Sequence, residues 1–419
     1  MCSSWLFVLV LFIVFFANIE SQLFHKLQDK IKKVASNRLG VNVARYDREE
    51  MMLFPNVGFQ RKEGDWRLNL HGWRYQPSTK NKLIGRSSST AAQRLARLLA
   101  TSEQMVYYND TFQRDRIKPF MVQDEAYEKI QIIIGTKHNS TTKTDAEGQF
   151  RTSFIIPNED VQELKQTVNK NQVINYQAIG DNDDGSEGKI YLLERSGLSI
   201  VSDIDDTIKI SEVLDKIRLI ANTFIHEFRV VEGMPELYRE WQTRHNCSFH
   251  YLSAMPDQLF TVTKEFADKH QFPDGTFHMR HLQWSSSSIF NFVHSIDTKM
   301  HKTNHIRYFI FNTVRSLVLV GDSGEHDPEI YGNVARMYPK RILRIFIRAV
   351  KGEKVDDERF FKAFKDVPRE KWLVFTDPLR DLPKTLIKTS TSEMPKSTTA
   401  PSEPKPKPKP TNKKPKPKA

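Results

Sequence analysis

At 419 residues the chain is long enough for two domains with sizeable cores. Its 39% hydrophobic and 27% charged residues fit an ordinary soluble protein and exclude a wholly disordered or collagen-like one. The net charge of +12 is uneven: Lys388–Ala419 holds nine Lys and two Glu, so the tail rather than the body makes the protein basic.

The first element is an apolar run from Trp5 to Ala17. It is short for a spanning helix and fits the core of a signal peptide over residues 1–21. No Lys or Arg precedes it, and Lys26, Lys30, Lys32 and Lys33 follow, so an uncleaved membrane anchor is the alternative. Three glycosylation sequons, at Asn109, Asn139 and Asn246, agree with a secreted or luminal protein. With Cys2 in the leader, Cys247 stands alone, which excludes an intrachain disulfide after cleavage. No Cys/His spacing suits zinc. Leu23, Phe24, Leu27, Ile31 and Val34 fall near helical spacing, so residues 22–44 read as an amphipathic helix or linker.

Residues 45–197 read as a mostly β, sandwich-like domain. Trp66–Trp73 and Gln149–Ile156 alternate apolar and polar residues, and Lys129–Gly135 and Gly188–Leu193 are further strand candidates. Ser87–Ser89 can cap a helix over Ala91–Ala100. Asp181, Asp183 and Asp184 read as a solvated turn. Residues 198–387 alternate strand and helix patterns, the mark of a parallel α/β sheet. Strands are expected over Leu198–Ile204, Phe249–Ala254, Leu317–Gly321, Leu343–Arg348 and Leu373–Thr376. Helices are expected over Pro235–Arg244, Asp257–His270, Lys302–Asn312 and Pro328–Met337. The Lys/Pro-rich residues 388–419 cannot form a core and read as a disordered tail.

Chemistry concentrates where strands end. Leu198–Val201 runs into Asp203, Asp205 and Asp206, and a second apolar strand, Leu317–Val320, runs into Asp322 and Asp327. Open α/β sheets hold ligands at the carboxyl ends of their strands. Clustered carboxylates repel unless a hard cation such as Mg²⁺ neutralises them. A calcium loop of the EF-hand type does not fit, because Ile208 stands where it needs Gly and Leu214 where it needs Glu. Ser253 ends another strand and can donate to a phosphate oxygen. Lys299 and Lys302 open a helix where a cation can reach phosphate.

Together, Asp203-Ile-Asp205-Asp-Thr207, Ser253, a downstream Lys and Gly321-Asp322…Asp327 resemble, in order, the four motifs of the haloacid dehalogenase phosphatase superfamily. His250-Tyr-Leu-Ser253…Pro256…Gln258-Leu259, Phe272-Pro-Asp-Gly275…Met279-Arg280, His301-Lys302…Ile306 and Asp327-Pro-Glu-Ile-Tyr331 narrow the resemblance to the actin-patch type of magnesium-dependent phosphatidate phosphatase. The resemblance spans roughly residues 45–350, including the hairpin Thr144–Phe150. It implies Asp203 as nucleophile, Asp205 as general acid/base and Thr207 orienting the loop. It implies Ser253 and Lys302 as phosphate ligands. It implies Mg²⁺ held by Asp203, the Asp205 backbone carbonyl and Asp322, with Asp327 supporting. The substrate implied is phosphatidate. The basic tail is expected to favour an anionic membrane surface, and no Arg/aromatic interleaving suggests nucleic acid. Ala254, Met255 and Asp257 depart from the family, which has polar residues and Trp after the motif Ser. A phosphatase for soluble phosphomonoesters and a non-catalytic binder of anionic lipids or polyanions are the alternative functions.

Overall fold

The computed structural model describes residues 49–76, 116, 119, 122–181, 185–281, 298–350 and 352–387. The expected leader, the 22–44 segment, the Ala91–Ala100 helix, Asp183, Asp184 and the Lys/Pro-rich tail lie outside the described residues. No described helix is long and apolar enough to cross a membrane.

The N-terminal region is one ten-stranded sheet. Its strands are β1 (Glu50–Leu53), β2 (Asn56–Gln60), β3 (Trp66–Gln76), β4 (Gln123–Asp124) and β5 (Lys129–Ile134). They continue with β6 (His138–Lys143), β7 (Gln149–Ile156), β8 (Gln166–Val168), β9 (Asn171–Gly180) and β10 (Ser186–Leu193). A short helix, α1 (Asn158–Leu164), follows β7. All four expected strands are present, but as one hydrogen-bonded sheet rather than the two facing sheets of a sandwich. The reason is the length of β3, whose 11 residues serve two strands on each edge. β2 and β1 share one edge, while β7 and β4 share the other. Alternate residues of the bent sheet, among them Trp66, Leu68, Leu70, Ile130, Ile132, Ile134, Phe150 and Tyr176, enclose a common core.

The second sheet has six strands: β11 (Leu198–Ser202), β14 (Ser248–Pro256), β15 (Gly275–Arg280), β16 (Ser316–Asp322), β17 (Ile342–Arg348) and β18 (Trp372–Phe375). Between β11 and β14 lies a small antiparallel pair, β12 (Lys209–Ile210) and β13 (Arg229–Val230). All pairings in the six-stranded sheet are parallel, in the order β15-β14-β11-β16-β17-β18. The chain therefore winds outward from β11 to one side, then returns to β16 and winds to the other. The order reverses between β11 and β16, which opens a crevice at their carboxyl ends. Both faces are covered, so the strands read as unbroken apolar runs. Ile200, Val318, Val320 and Phe346 face one core with Tyr238 and Trp241. Val201, Leu317, Leu319, Ile345 and Ile347 face the other with Ile306, Phe309 and Ile330.

The covering helices are α2 (Lys216–Phe224), α3 (Met234–His245), α4 (Phe260–Lys269), α5 (Thr298–Asn312), α6 (Asp327–Met337) and α7 (Glu358–Ala363). The expected helix over Asp257–His270 divides into a 3₁₀ turn, Asp257–Leu259, and α4. Strand β15 was not expected from its sequence. Its Thr276 and His278 are polar, yet they satisfy each other inside at 2.9 Å, with His250 Nδ1 2.8 Å from the same hydroxyl. The residues of β15 alternate polar and apolar, whereas the other parallel strands, covered on both faces, read as unbroken apolar runs. Gly275 is required there, since a Cβ would lie 2.2 Å from the Phe249 carbonyl oxygen.

The two sheets pack on each other. Met52, Phe54 and Trp73 join one core of the parallel sheet, and Val57 and Phe59 join the other. Buried Arg315 clips the crossing by donating to the carbonyls of Glu194, Ser196 and Leu198 and to Ser199 Oγ. A second link is polar: Asp257 accepts from Gln149 Nε2 at 2.9 Å and pairs with His281 Nδ1 at 2.8 Å. Burial disfavours the charged imidazole of His281, but the hydrogen bond and charge of Asp257 outweigh it and raise its pKa. A raised pKa contributes stability that is complete below the unfolded value of about 6.5 and is lost as pH rises through the folded value. His281→Asn keeps a donor without the charge. In urea titrations its deficit against the wild type should therefore be larger at pH 5.5 than at pH 8.5; a pH-independent deficit would contradict the ion pair.

Candidate active site

The reversal point gathers the expected residues. β11 ends at Ser202, and Asp203 N donates to Val320 O at 2.8 Å, which extends the pairing with β16 by one step. The chain then turns tightly: the amides of Ile208 and Lys209 both donate to Ile204 O at 3.0 Å. The turn requires a positive φ of 54° at Asp206, a conformation that Asp tolerates better than most residues.

The three adjacent carboxylates of this loop point to three different tasks. Asp203 receives Thr207 Oγ1 on Oδ2 at 3.1 Å and Lys302 Nζ on Oδ1 at 2.8 Å. Asp205 turns the other way, with Lys209 Nζ at 2.8 Å and Ser211 Oγ at 2.7 Å on Oδ1, and Ser253 Oγ at 2.9 Å on Oδ2. Asp206 faces back into its own loop and accepts the amides of Ser211, Glu212 and Val213 at 2.7–2.9 Å. Its carbonyl accepts from Arg348 Nη1 at 2.7 Å. Asp206 is thus a staple for the loop and takes no part in the acidic cluster.

β16 and the start of α6 supply the other side. Asp322 Oδ1 accepts the amides of Gly324 at 2.6 Å and Glu325 at 3.2 Å, while its Oδ2 is buried without a partner. Asp327 receives Lys302 Nζ at 2.6 Å. Gly321 makes this approach possible, because a Cβ there would stand 2.2 Å from Asp327 Oδ2. Lys302, in α5, is fully buried and also lies 3.1 Å from Glu325 Oε2, whereas Lys299 is exposed. Lys302, the lysine that the resemblance implied, thus lies in the acidic cluster, and Lys299 is at the surface.

Asp203, Asp322 and Asp327 bring one oxygen each within 4.8 Å of one another, and all three are buried. Three carboxylates, Asp203, Asp327 and Glu325, share one ammonium, and Asp322 lies beside them. Burial pushes the carboxyl of Asp203 well above the ordinary range; Lys302 pulls it down, and Asp327, Glu325 and Asp205 push it further up. Burial does the same to Asp322, reinforced by Asp327 and Asp203. Lys302 is moved well above its ordinary value, since these carboxylates outweigh its own burial. Asp205 is lowered instead: burial opposes ionisation, but Lys209, Ser211 and Ser253 outweigh it. An all-oxygen donor set with an orphaned buried carboxylate oxygen and excess negative charge suits a metal ion.

Every expected site residue converges here: Asp203, Asp205, Thr207, Ser253, Lys302, Asp322 and Asp327. The carboxylate of Asp205 lies outside the three-oxygen cluster. Lys209, Ser211, Glu325 and Arg348 were not assigned from sequence. Lys209 follows the Asp203–Thr207 motif by two residues, but a lysine reads as exposed until its burial is seen.

Residues 198–349 match the family model described as phosphatidate phosphatase APP1, catalytic domain. Phosphatidate phosphatase APP1 of Saccharomyces cerevisiae is 36% identical over 160 residues, which are 36% of this chain and 26% of that protein. An uncharacterized protein of Schizosaccharomyces pombe is 32% identical over 171 residues, 39% of this chain and 27% of its own. The chain thus spans about a quarter of the length of these relatives. A carbohydrate acetylesterase from Xanthomonas citri aligns at a TM-score of 0.24 and 8% identity over 61% of this chain and 64% of its own, a likeness too slight to bear on the fold.

The orphaned oxygen of Asp322 gives a test of the electrostatics. In Asp322→Asn the amide can donate to the facing carboxylates. The metal-free variant should melt a few degrees above the wild type, and added divalent cation should no longer stabilise it. Scanning calorimetry with and without EDTA measures both; a metal-free variant less stable than wild type would contradict the charge imbalance.

Proposed function

We propose, from the match of residues 198–349 to the APP1 catalytic-domain model, that the protein is a Mg²⁺-dependent phosphatidate phosphatase of the haloacid dehalogenase kind. In this reading residues 198–387 are the phosphatase domain and 45–197 a β-rich domain before it. The observation that carries it is the meeting of Asp203, Lys302, Asp322 and Asp327 at the reversal point of a parallel sheet, with Asp205 beside them.

Asp203 attacks phosphorus, forming an aspartyl-phosphate as the bond to the glycerol oxygen breaks. Asp205, ionised in the substrate-free site, takes up a proton as the phosphate anion displaces Ser253 from it, and gives that proton to the departing alkoxide, which leaves as diacylglycerol. It then takes a proton from water, and that water displaces phosphate from Asp203. Thr207 fixes the nucleophile through Asp203 Oδ2. Ser253 and Lys302 bind the phosphoryl oxygens, exchanging their present bonds to Asp205 and Asp203 for bonds to substrate. Bound Mg²⁺, held by Asp203, the Asp205 backbone carbonyl and Asp322 with Asp327 in support, would neutralise charge on the phosphoryl group. Positioning and electrostatics carry most of phosphoryl transfer, so each of these contacts matters.

A phosphatase for soluble phosphomonoesters is the second reading, favoured by Ala254, Met255 and Asp257 after the motif Ser. Asp257 is committed to Gln149 and His281. For localisation, the apolar leader supports a secreted or luminal protein, and two sequon residues, Asn139 and Asn246, are exposed. The basic tail would hold the enzyme at anionic membrane, an attraction that salt weakens.

Phosphate release from phosphatidate in mixed micelles should require Mg²⁺ and disappear with EDTA, and Ser253→Ala should lower it on the order of 10²–10³-fold. Release from soluble esters alone would remove the lipid, and no release from any ester would leave a binding protein. Protein expressed through a secretory pathway should lose mass on treatment with an N-glycosidase; unchanged mobility of protein recovered from the medium would remove the glycan assignment.

A further inference from the structure

Arg359 lies ten residues beyond the segment that matches the catalytic-domain model, in the first turn of α7, whose cap is Asp357. Its guanidinium donates from all three nitrogens. Nη1 reaches Ser323 O at 2.5 Å and Glu353 Oε1 at 3.1 Å. Nη2 reaches Glu325 O at 2.6 Å and Glu329 Oε2 at 3.2 Å, and Nε reaches Glu329 Oε1 at 2.9 Å. The two carbonyls belong to the loop between Asp322 and Asp327. The amides of that loop, from Gly324 and Glu325, hold Asp322 Oδ1 and leave Oδ2 bare beside Asp203 and Asp327. Glu329 belongs to α6, the helix that begins at Asp327. One planar cation therefore ties the loop carrying Asp322 to the helix carrying Asp327.

We propose that Arg359 is a positioning residue for the metal site: it holds the Asp322–Asp327 loop so that the bare oxygen of Asp322 meets those of Asp203 and Asp327. This rests on reading these three carboxylates as the Mg²⁺ site. Lysine cannot replace the arginine, because a single ammonium does not span two carbonyls and a bidentate carboxylate at once. Partners behind metal ligands commonly change metal affinity by 10–100-fold when lost.

The test is calorimetric titration of the full chain with Mg²⁺ alone, for wild type, Arg359→Lys and Glu329→Gln. The Gln variant loosens Arg359 from behind and leaves the loop sequence intact. Arg359→Lys should bind Mg²⁺ about 10–100-fold more weakly, with Glu329→Gln between it and wild type. High Mg²⁺ should restore most of the turnover number, and the metal-free melting temperature should change little. Wild-type affinity in both folded variants would overturn the role of Arg359 while leaving the metal site standing. If Arg359→Lys does not fold, Glu329→Gln decides in the same way. Absence of Mg²⁺ binding by the wild type would instead overturn the metal reading, and this role with it.

Discussion

The structure turns on one buried ammonium. Lys302 sits among Asp203, Asp327 and Glu325, with Asp322 beside them, in a space from which water is largely excluded. One positive charge cannot offset four carboxylates, and burial raises the cost of each unpaired charge. The site is consequently under electrostatic tension, and a divalent cation or a reorganised proton inventory relieves it. Stability yields to function at such places.

Everything around the ammonium serves to keep these groups together. The order reversal between β11 and β16 places two acidic loops side by side without any long insertion. The apolar strands below, buried on both faces, hold the loops at fixed height. Asp206 and Arg348 staple the first loop, and Arg359 braces the second. The N-terminal sheet reaches the same region through Gln149, which binds Asp257 four residues after Ser253. Through that contact the β region helps to shape the segment that follows Ser253.

Much of this was legible in the sequence, for a physical reason. Strands β11 and β16 are covered on both faces, so they appear as apolar runs, and the acids that end them stand out. The parallel α/β class followed from the alternation of such runs with helical patterns. What stayed hidden depends on tertiary packing. The contacts of Asp203, Asp205 and Asp206 are not visible in the sequence; the left-handed turn at Asp206 and the partners each one finds separate them. The burial of Lys209 and Lys302 comes from the packing of distant segments, which no local pattern reports. β15 does not read as the unbroken apolar run of its parallel neighbours, and the single sheet replaced a sandwich because one strand was long enough to serve four neighbours. Arg359 carries no signal of its own in a charged stretch near the end of the described chain.

The central claim is that Asp203 becomes covalently phosphorylated. The most direct measurement is rapid acid quench of the enzyme during turnover of phosphatidate, followed by peptide mass spectrometry with hydroxylamine sensitivity as a control. The account predicts a hydroxylamine-labile phosphoryl group on the peptide containing Asp203, located on that residue and missing from Asp203→Asn. Turnover that proceeds with no phosphoryl group on Asp203, or with one on another side chain, would contradict it.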